Sequence, residues 1–338
     1  MSKDNDIDDL FSDKMENEIK NEIKKKRGKL NLKLIIIAIV STLIIIIVGI
    51  LALDFASDKY IENSYAKEQQ KLELENIIMN PNEYIGKERC MEIGYFKFES
   101  TYDYAKRIGS KVIYAGSANY LGGLAKNGIS KEGWSISNIP LSNDINKRYS
   151  SVNGGRNLYF LYPYVQYGEN IYDYQKDDNK TTENDLSLDK ENIINDFHFL
   201  NEIDDNKIVE MALSFDKEYT YEEVNSMLDS NLITFYWVDD NSEEAKQHMI
   251  EFKNPAFSVV GIKSIDGAGE LRDDVDGRME NFKAALKQLK EIGDTQDIDE
   301  NNIKIIGVVV VGSPKELKNI QNNPMIKHAI LGTVVDKY

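Results

Sequence analysis

The sequence is poor in the residues that build cross-links and metal centres. Its 338 residues include one cysteine, three histidines and six prolines. A single cysteine cannot form a disulfide within the chain or supply a cysteine-based zinc site. The three histidines stand singly, without the spacing of metal ligands. The sequence therefore predicts neither a metal site nor a cofactor.

The chain also lacks an excess of positive charge. It has 41 lysines and arginines against 57 aspartates and glutamates, which gives a formal net charge of −16. Binding to a phosphate backbone needs clustered positive charge, so we expect no direct contact with nucleic acid. The motifs of serine hydrolases, zinc proteases and P-loop nucleotide binders are absent as well. We expect a protein that is not an enzyme.

One long apolar run stands out against this charged background. Residues 34–53 carry no charged side chain. At about 1.5 Å per residue, a helix of twenty residues spans the hydrocarbon core of about 30 Å. A cleaved secretory signal is the alternative, but the charged lead of 33 residues is long for one and no clean cleavage site follows the run. We therefore predict one retained transmembrane helix.

The charges that flank this run differ in sign. The basic residues that set the topology are Lys24, Lys25, Lys26, Arg27, Lys29 and Lys33. Asp54, Asp58 and Glu62 follow the run. The positive-inside rule then places the N-terminus in the cytoplasm and the C-terminal domain outside. We expect a single-pass protein of the cell membrane that contacts the lipid bilayer through residues 34–53.

The segment before the span carries an apolar cluster on a short helical pattern. Ile7, Leu10, Phe11 and Met15 lie close together when drawn on a helix. A helix this short is marginal alone in water, so this cluster suits contact with a cytoplasmic partner. A disordered tail whose basic end only fixes the topology is the alternative, and composition does not decide between the two.

Composition divides the chain into five parts. They are a cytoplasmic segment with an amphipathic helix (1–33), the transmembrane helix (34–53), a juxtamembrane helical stalk (54–80), a strand-rich extracytoplasmic region (81–192) and a C-terminal α/β domain (193–338). The apolar positions of the stalk are irregularly spaced.

The last part alternates strand and helix signals. Residues 303–311 read as a buried strand, and Thr220 with Glu223 three residues later predicts a helix start. We expect an extracytoplasmic domain of the α+β or α/β-sandwich class, with a ferredoxin-like arrangement as one option for the C-terminal part.

Two features of the strand-rich region invite a functional interpretation. Tyr159, Tyr162, Tyr164 and Tyr167 could form a ligand face for a glycan or a peptide, although tyrosine is also a strong strand former and packing is the favoured alternative. Cys90 precedes an apolar strand pattern, so we expect a buried and inert thiol.

Several stretches resemble membrane-bound sigma factor regulators. Those similar to the C-terminal domain of that family are Ala212-Leu213-Ser214-Phe215-Asp216-Lys217, Tyr219-Thr220, Glu222-Glu223-Val224, Phe235-Tyr236-Trp237-Val238-Asp239, Gly307-Val308-Val309-Val310-Val311-Gly312-Ser313-Pro314-Lys315-Glu316-Leu317, Ile326 and Gly332-Thr333-Val334-Val335-Asp336. Asp9-Leu10-Phe11, leading into the basic cluster and the span, resembles the N-terminal segment of the family.

This resemblance implies an anti-sigma factor of a low-GC Gram-positive bacterium. Such a protein sequesters or controls an extracytoplasmic-function sigma factor in response to the state of the envelope, without catalysis. The cytoplasmic segment is much shorter than a zinc-binding anti-sigma domain and lacks its histidines and cysteines. A sigma factor would then be bound by a short helix, or with help from a second membrane protein. The alternative function is an anchored ectodomain that binds or processes the cell wall.

Overall fold

The computed structural model describes residues 5–124, 127–132, 158–167, 195–252, 255–256, 259–267, 269–271, 275–293 and 298–337, and for residues 5–13, 127–132, 275 and 276 it describes the backbone alone. The chain forms two compact units, Met1–Glu62 and Asn63–Tyr338.

A single long helix, α1, covers Asn5–Ile78. It contains the apolar run, and it is long and apolar enough to cross a membrane. None of the apolar run is buried within the protein, as expected for side chains that face lipid. The hydroxyls of Ser41 and Thr42 donate to the carbonyl of Ala38 inside the helix, so these polar groups need no outside partner. The prediction of one membrane-spanning helix agrees with this element.

A four-stranded antiparallel sheet follows the helix. Its strands are β1 (Glu83–Gly94), β2 (Lys97–Ile108), β3 (Lys111–Gly123) and β4 (Asn127–Glu132), paired in that order. Along β2 the side chains of Phe98, Ser100 and Tyr102 are buried while the residues between them are more exposed. One face of this sheet is therefore packed, which is the alternation that antiparallel sheets commonly show.

The C-terminal part is built on a second, five-stranded antiparallel sheet. Its strands are β5 (Lys207–Tyr219), β6 (Ile233–Val238), β7 (Gly261–Lys263), β8 (Ile305–Gly312) and β9 (Ile326–Asp336), in the order β7-β6-β8-β5-β9. The helices are a 3-10 helix (Asp196–Asn201), α2 (Tyr221–Met227), α3 (Glu243–Phe252), α4 (Val275–Glu291) and α5 (Pro314–Lys318).

The connections of this sheet are those of two interleaved split β-α-β units. β5 and β6 are both antiparallel to β8 and lie on either side of it, and β8 and β9 stand in the same relation to β5. This is the ferredoxin-like arrangement, extended by β7 at one edge.

Both faces of the second sheet are covered. One face packs against the apolar side of α4, which contributes Phe282, Leu286 and Leu289 to the main core. Residues 158–167 pack against the opposite face. Strand β8 is buried along its whole length, which explains its continuous apolar sequence.

Candidate functional site

The apolar cluster of the N-terminal segment lies on the helical backbone of α1. The side chains of Ile7, Leu10 and Phe11 lie outside the described residues. The side chain of Met15 is described and is 67 % exposed, and the next apolar residues, Ile19 and Ile23, are exposed as well. The role of this cluster in partner binding stays a prediction.

The six basic residues before the apolar run all lie on exposed positions of α1. Lys26 pairs with Glu22 at 4.0 Å, and Lys20 pairs with Glu16 at 2.7 Å, both across one turn of the helix. Exposed pairs of this kind contribute little to stability, so these charges remain available to lipid headgroups.

The C-terminal end of α1 is built into the second unit. Leu74 and Ile78 belong to its main core, and Leu72 is buried as well. Nearer the start of this unit, the ring of Tyr65 lies edge-on against Phe98 of β2, with 5.9 Å between the centroids. This part of the helix is therefore fixed by apolar contacts on more than one side, and we call residues 63–83 with their contacts the stalk junction.

A charged side chain from the second sheet holds the end of the helix. The Lys263 ammonium donates to the carbonyl oxygens of Asn76 and Glu83, at 2.6 Å each. The last turn of α1 has no basic residue of its own. Because the carbonyls at the C-terminus of a helix carry partial negative charge, Lys263 supplies the cation that stabilises this end.

The turn after the helix follows from its sequence. Asn80 and Asn82 have positive φ angles of 57° and 61° on either side of Pro81. Asparagine tolerates this left-handed conformation better than most residues, and the proline ring prevents the helix from continuing. The amide of Asn80 then donates to the carbonyl of Val259, and the carbonyl of Asn82 accepts from Arg107. The turn is thus hydrogen-bonded both to β2 of the first sheet and to the segment just before β7 of the second sheet.

A buried ion pair joins the two sheets at this turn. Lys106 of β2 lies 2.8 Å from Glu210 of β5, and their side chains are 3 % and 0 % exposed. The carboxylate of Glu210 also accepts from the side-chain amide of Asn82 at 2.8 Å and from the backbone of Thr333 at 3.2 Å. Both carboxylate oxygens are thereby hydrogen-bonded, as a buried charge requires.

Sequence reasoning missed all four polar groups of the stalk junction, Asn82, Lys106, Glu210 and Lys263. A usable signal was a single charge within an apolar strand pattern, as with Glu210, which is the only charged residue in residues 208–215 of β5. Such a charge is rarely buried unless it is paired. The partner could not be identified from the local pattern, because Lys106 is distant in sequence.

The tyrosine run does not form an open ligand face. Tyr159, Tyr162 and Tyr167 are buried, and Tyr164 is half-buried. The ring of Tyr162 packs on Trp237 with 5.0 Å between centroids, and its backbone amide donates to the Tyr167 hydroxyl at 2.9 Å. Burial raises the pKa of Tyr162 to about 12. These residues cover one face of the second sheet, so the packing alternative accounts for them.

Cys90 differs from its expected environment because its side chain is exposed. Partial burial still raises the pKa of its thiol, a hydrogen bond with Ser100 acts in the opposite direction, and the nearby carboxylates of Glu92 and Glu88 raise the pKa further. The thiol is therefore accessible, but little of it is thiolate at neutral pH. Within the part of the chain that the structure describes, no three His, Cys, Asp or Glu side chains come together as a metal site would require.

Two family models match the sequence. The model described as sigma factor regulator N-terminal matches residues 20–113, and the model described as sigma factor regulator C-terminal matches residues 200–333. No curated protein and no solved structure gives a significant match. The first match begins after Met15, covers the span, β1 and β2, and ends within the first residues of β3. Together the two matches cover about two thirds of the chain, which therefore belongs to the sigma factor regulator family, whose members are membrane anti-sigma factors that regulate a sigma factor.

Proposed function

We propose that this protein holds an extracytoplasmic-function sigma factor at the inner face of the membrane and controls it according to the state of the envelope. The observation that carries the proposal is the pairing of both family matches with one membrane-spanning helix in the same chain. The protein acts by binding, without catalysis. Co-purification of the full chain from membranes with its sigma factor tests the proposal, and a preparation that contains no sigma factor contradicts it.

The proposed topology places the N-terminus in the cytoplasm. Six exposed basic residues before the apolar run support it, because cytoplasmic flanks carry an excess of lysine and arginine. Cys90 is the only thiol of the chain, and its exposure allows labelling without unfolding. A membrane-impermeant maleimide should label Cys90 on intact protoplasts, and faster at pH 8.5 than at pH 7, because the reactive thiolate fraction increases with pH.

The control for topology moves the thiol to the other side of the span. A Ser12→Cys substitution in a Cys90→Ser background should be labelled only after lysis. The proposed orientation is wrong if the thiol at position 12 is labelled on intact protoplasts and Cys90 of the unsubstituted protein is labelled only after lysis.

The proposed contact with the sigma factor is the apolar cluster Ile7, Leu10, Phe11 and Met15. Its support is the apolar pattern together with the exposure of Met15. Deletion of residues 2–20 should raise transcription from the promoter that the sigma factor serves. A sharper variant is Leu10→Asp, because an aspartate cannot enter an apolar interface without a large desolvation cost.

Ser12→Asp is the matched control for Leu10→Asp. It adds the same charge to the same segment, and at about 100° per residue it lies roughly 160° around the helix from Leu10. We expect Leu10→Asp to raise transcription and Ser12→Asp to leave it unchanged. Equal effects of the two variants, at equal protein levels, would show that charge and not the apolar cluster controls the sigma factor.

A second membrane protein would complete a binding surface that the apolar cluster of the N-terminal segment provides only in part. The support is the size of that cluster, which has four apolar side chains. Co-purification of the full chain should then recover one further membrane protein in constant ratio with the sigma factor.

The alternative of a wall-binding or wall-processing ectodomain is not favoured. The tyrosine run that suggested it packs in the core of the second unit.

A further inference from the structure

An apolar cluster lies on the surface where β1 turns into β2. Met91, Ile93, Tyr95 and Leu124 are 62 %, 46 %, 51 % and 71 % exposed, and we call them the tip cluster. The amide of Leu124, which follows β3, donates to the carbonyl of Phe96 in the turn. This bond keeps the end of β3 beside the turn. Exposed apolar side chains that gather at one end of a sheet mark an interaction surface.

Contacts within the second unit show which end of that unit carries the tip cluster. Tyr65, two residues after the unit begins, contacts Phe98, which is the second residue of β2 after the turn. Further along α1, Gln69 donates to Glu88, which is six residues before the end of β1 at Gly94. Successive turns of α1 therefore meet the sheet at increasing distance from its turn. The tip cluster lies at the end of the unit where the chain enters it.

The chain length before this unit limits how far from the bilayer that end can lie. Residues 54–62 separate the apolar run from the second unit. Even fully extended, nine residues reach only about 32 Å. The headgroup region adds roughly 5–8 Å to each side of the hydrocarbon core. A loop at the entering end of the unit can therefore reach this region.

The side chains of the tip suit a lipid–water interface. Tyr95 has an aromatic ring and a polar hydroxyl, a combination that is enriched where membrane meets water. Met91, Ile93 and Leu124 contribute apolar surface, and Lys97 beside the turn has a long side chain that can reach lipid phosphates. Side chains of this composition are more favourably placed at a lipid–water interface than in bulk water.

We propose that the tip cluster docks on the lipid bilayer beside the transmembrane helix and enters the boundary between headgroups and acyl chains. The proposal rests on the membrane location of the protein and is independent of its sigma factor. Docking would give the second unit a contact with the bilayer in addition to its covalent link to the span.

The test measures the depth of single side chains in the membrane. The full chain with Cys90→Ser is reconstituted in vesicles of phosphatidylethanolamine and phosphatidylglycerol, and a nitroxide is attached after Leu124→Cys. Electron paramagnetic resonance then compares collisions with oxygen, which concentrates in lipid, and with a nickel chelate, which stays in water. The matched control is Val112→Cys, because Val112 is 50 % exposed and lies at the opposite end of β3.

We expect the ratio of oxygen to nickel collisions to be several-fold higher at position 124 than at position 112. Adding Ile93→Asp and Tyr95→Asp should lower the ratio at position 124 to that of the control, while the spectrum at position 112 stays unchanged and shows that the sheet remains folded. Equal, water-like ratios at both positions would overturn the proposal. Protection of position 124 from both reagents would also overturn it, because protein and not lipid would then cover the cluster.

Discussion

Removing the ammonium of Lys106 should weaken the second unit more than any change at an exposed ion pair. The Lys106→Met substitution keeps most of the aliphatic volume and leaves the Glu210 carboxylate without its cation. Glu210 is fully buried, and Asn82 and Thr333 would remain as its hydrogen-bond donors. Neutral donors do not balance a buried negative charge.

The expected loss is about 3–5 kcal/mol of the free energy of unfolding, which is typical when one partner of a buried ion pair is removed. Domains are stable by only about 5–15 kcal/mol, so this loss takes a large part of the total. For a unit of this size, it corresponds to a decrease in Tm of roughly 10 °C.

Urea unfolding of the full chain in detergent micelles, followed by tryptophan fluorescence, measures the loss. Trp237 lies in the core of the second unit and reports on its unfolding. Arg89→Met is the matched control, since Arg89 pairs with Asp103 across β1 and β2 at 3.4 Å but is exposed. The control should lose less than about 1 kcal/mol.

A second variant separates charge burial from packing. Adding Glu210→Gln to Lys106→Met removes the unpaired charge and should recover part of the lost stability, although the double variant carries one more substitution. If Lys106→Met loses no more than Arg89→Met, or if the double variant is weaker than Lys106→Met alone, the ion pair does not hold the two sheets together.

Three further predictions concern single groups. Burial raises the pKa of Asp240 to about 6, so the folded state binds this proton more tightly than the unfolded state. The contribution of this group to the free energy of unfolding is therefore fully present below about pH 4 and is lost as the pH rises through 6. Asp240→Asn should remove this dependence and be more stable than the unsubstituted protein at pH 8 by on the order of 1 kcal/mol in the urea assay. An equal change in the free energy of unfolding of the two proteins between pH 4 and pH 8 would contradict this. Gly122→Ala should cost about 1–3 kcal/mol, because a Cβ at that position would lie 2.2 Å from the ring of Phe98, whereas Gly267→Ala meets nothing within 4 Å and serves as the control in the same urea assay. Lys263→Met should cost about 2 kcal/mol and speed amide hydrogen exchange in the last turn of α1, and unchanged exchange there would show that Lys263 does not stabilise the helix end.

Features with a local physical signature could be predicted from the sequence. Thr220 begins α2 with the expected capping box, in which its hydroxyl accepts from the amide of Glu223. The apolar run at residues 303–311 includes all of β8 except its last residue, and β8 is buried on both faces. Both predictions depend only on residues that are neighbours along the chain.

Features that depend on distant residues could not be predicted in this way. The apolar neighbours of Cys90 suggested a buried strand, but β1 is an edge strand whose residues 89–94 are exposed on both faces, Cys90 included. The charge of Glu210 is explained by Lys106, which the chain brings to it only through the packing of one sheet on another. A local pattern contains neither piece of information.

The irregular apolar spacing of the predicted stalk has a physical cause in the way the helix ends. At about 100° per residue, Leu72 and Leu74 lie about 200° apart around α1, and both are buried. A helix that is buried on opposite sides shows no single apolar stripe, so its sequence resembles an irregular spacer. The same contacts make residues 63–78 part of the second unit. A soluble form of this unit must therefore begin at or before Asn63, because a fragment that began after Ile78 would lose Leu74 and Ile78 from the core and the helix carbonyl that binds Lys263.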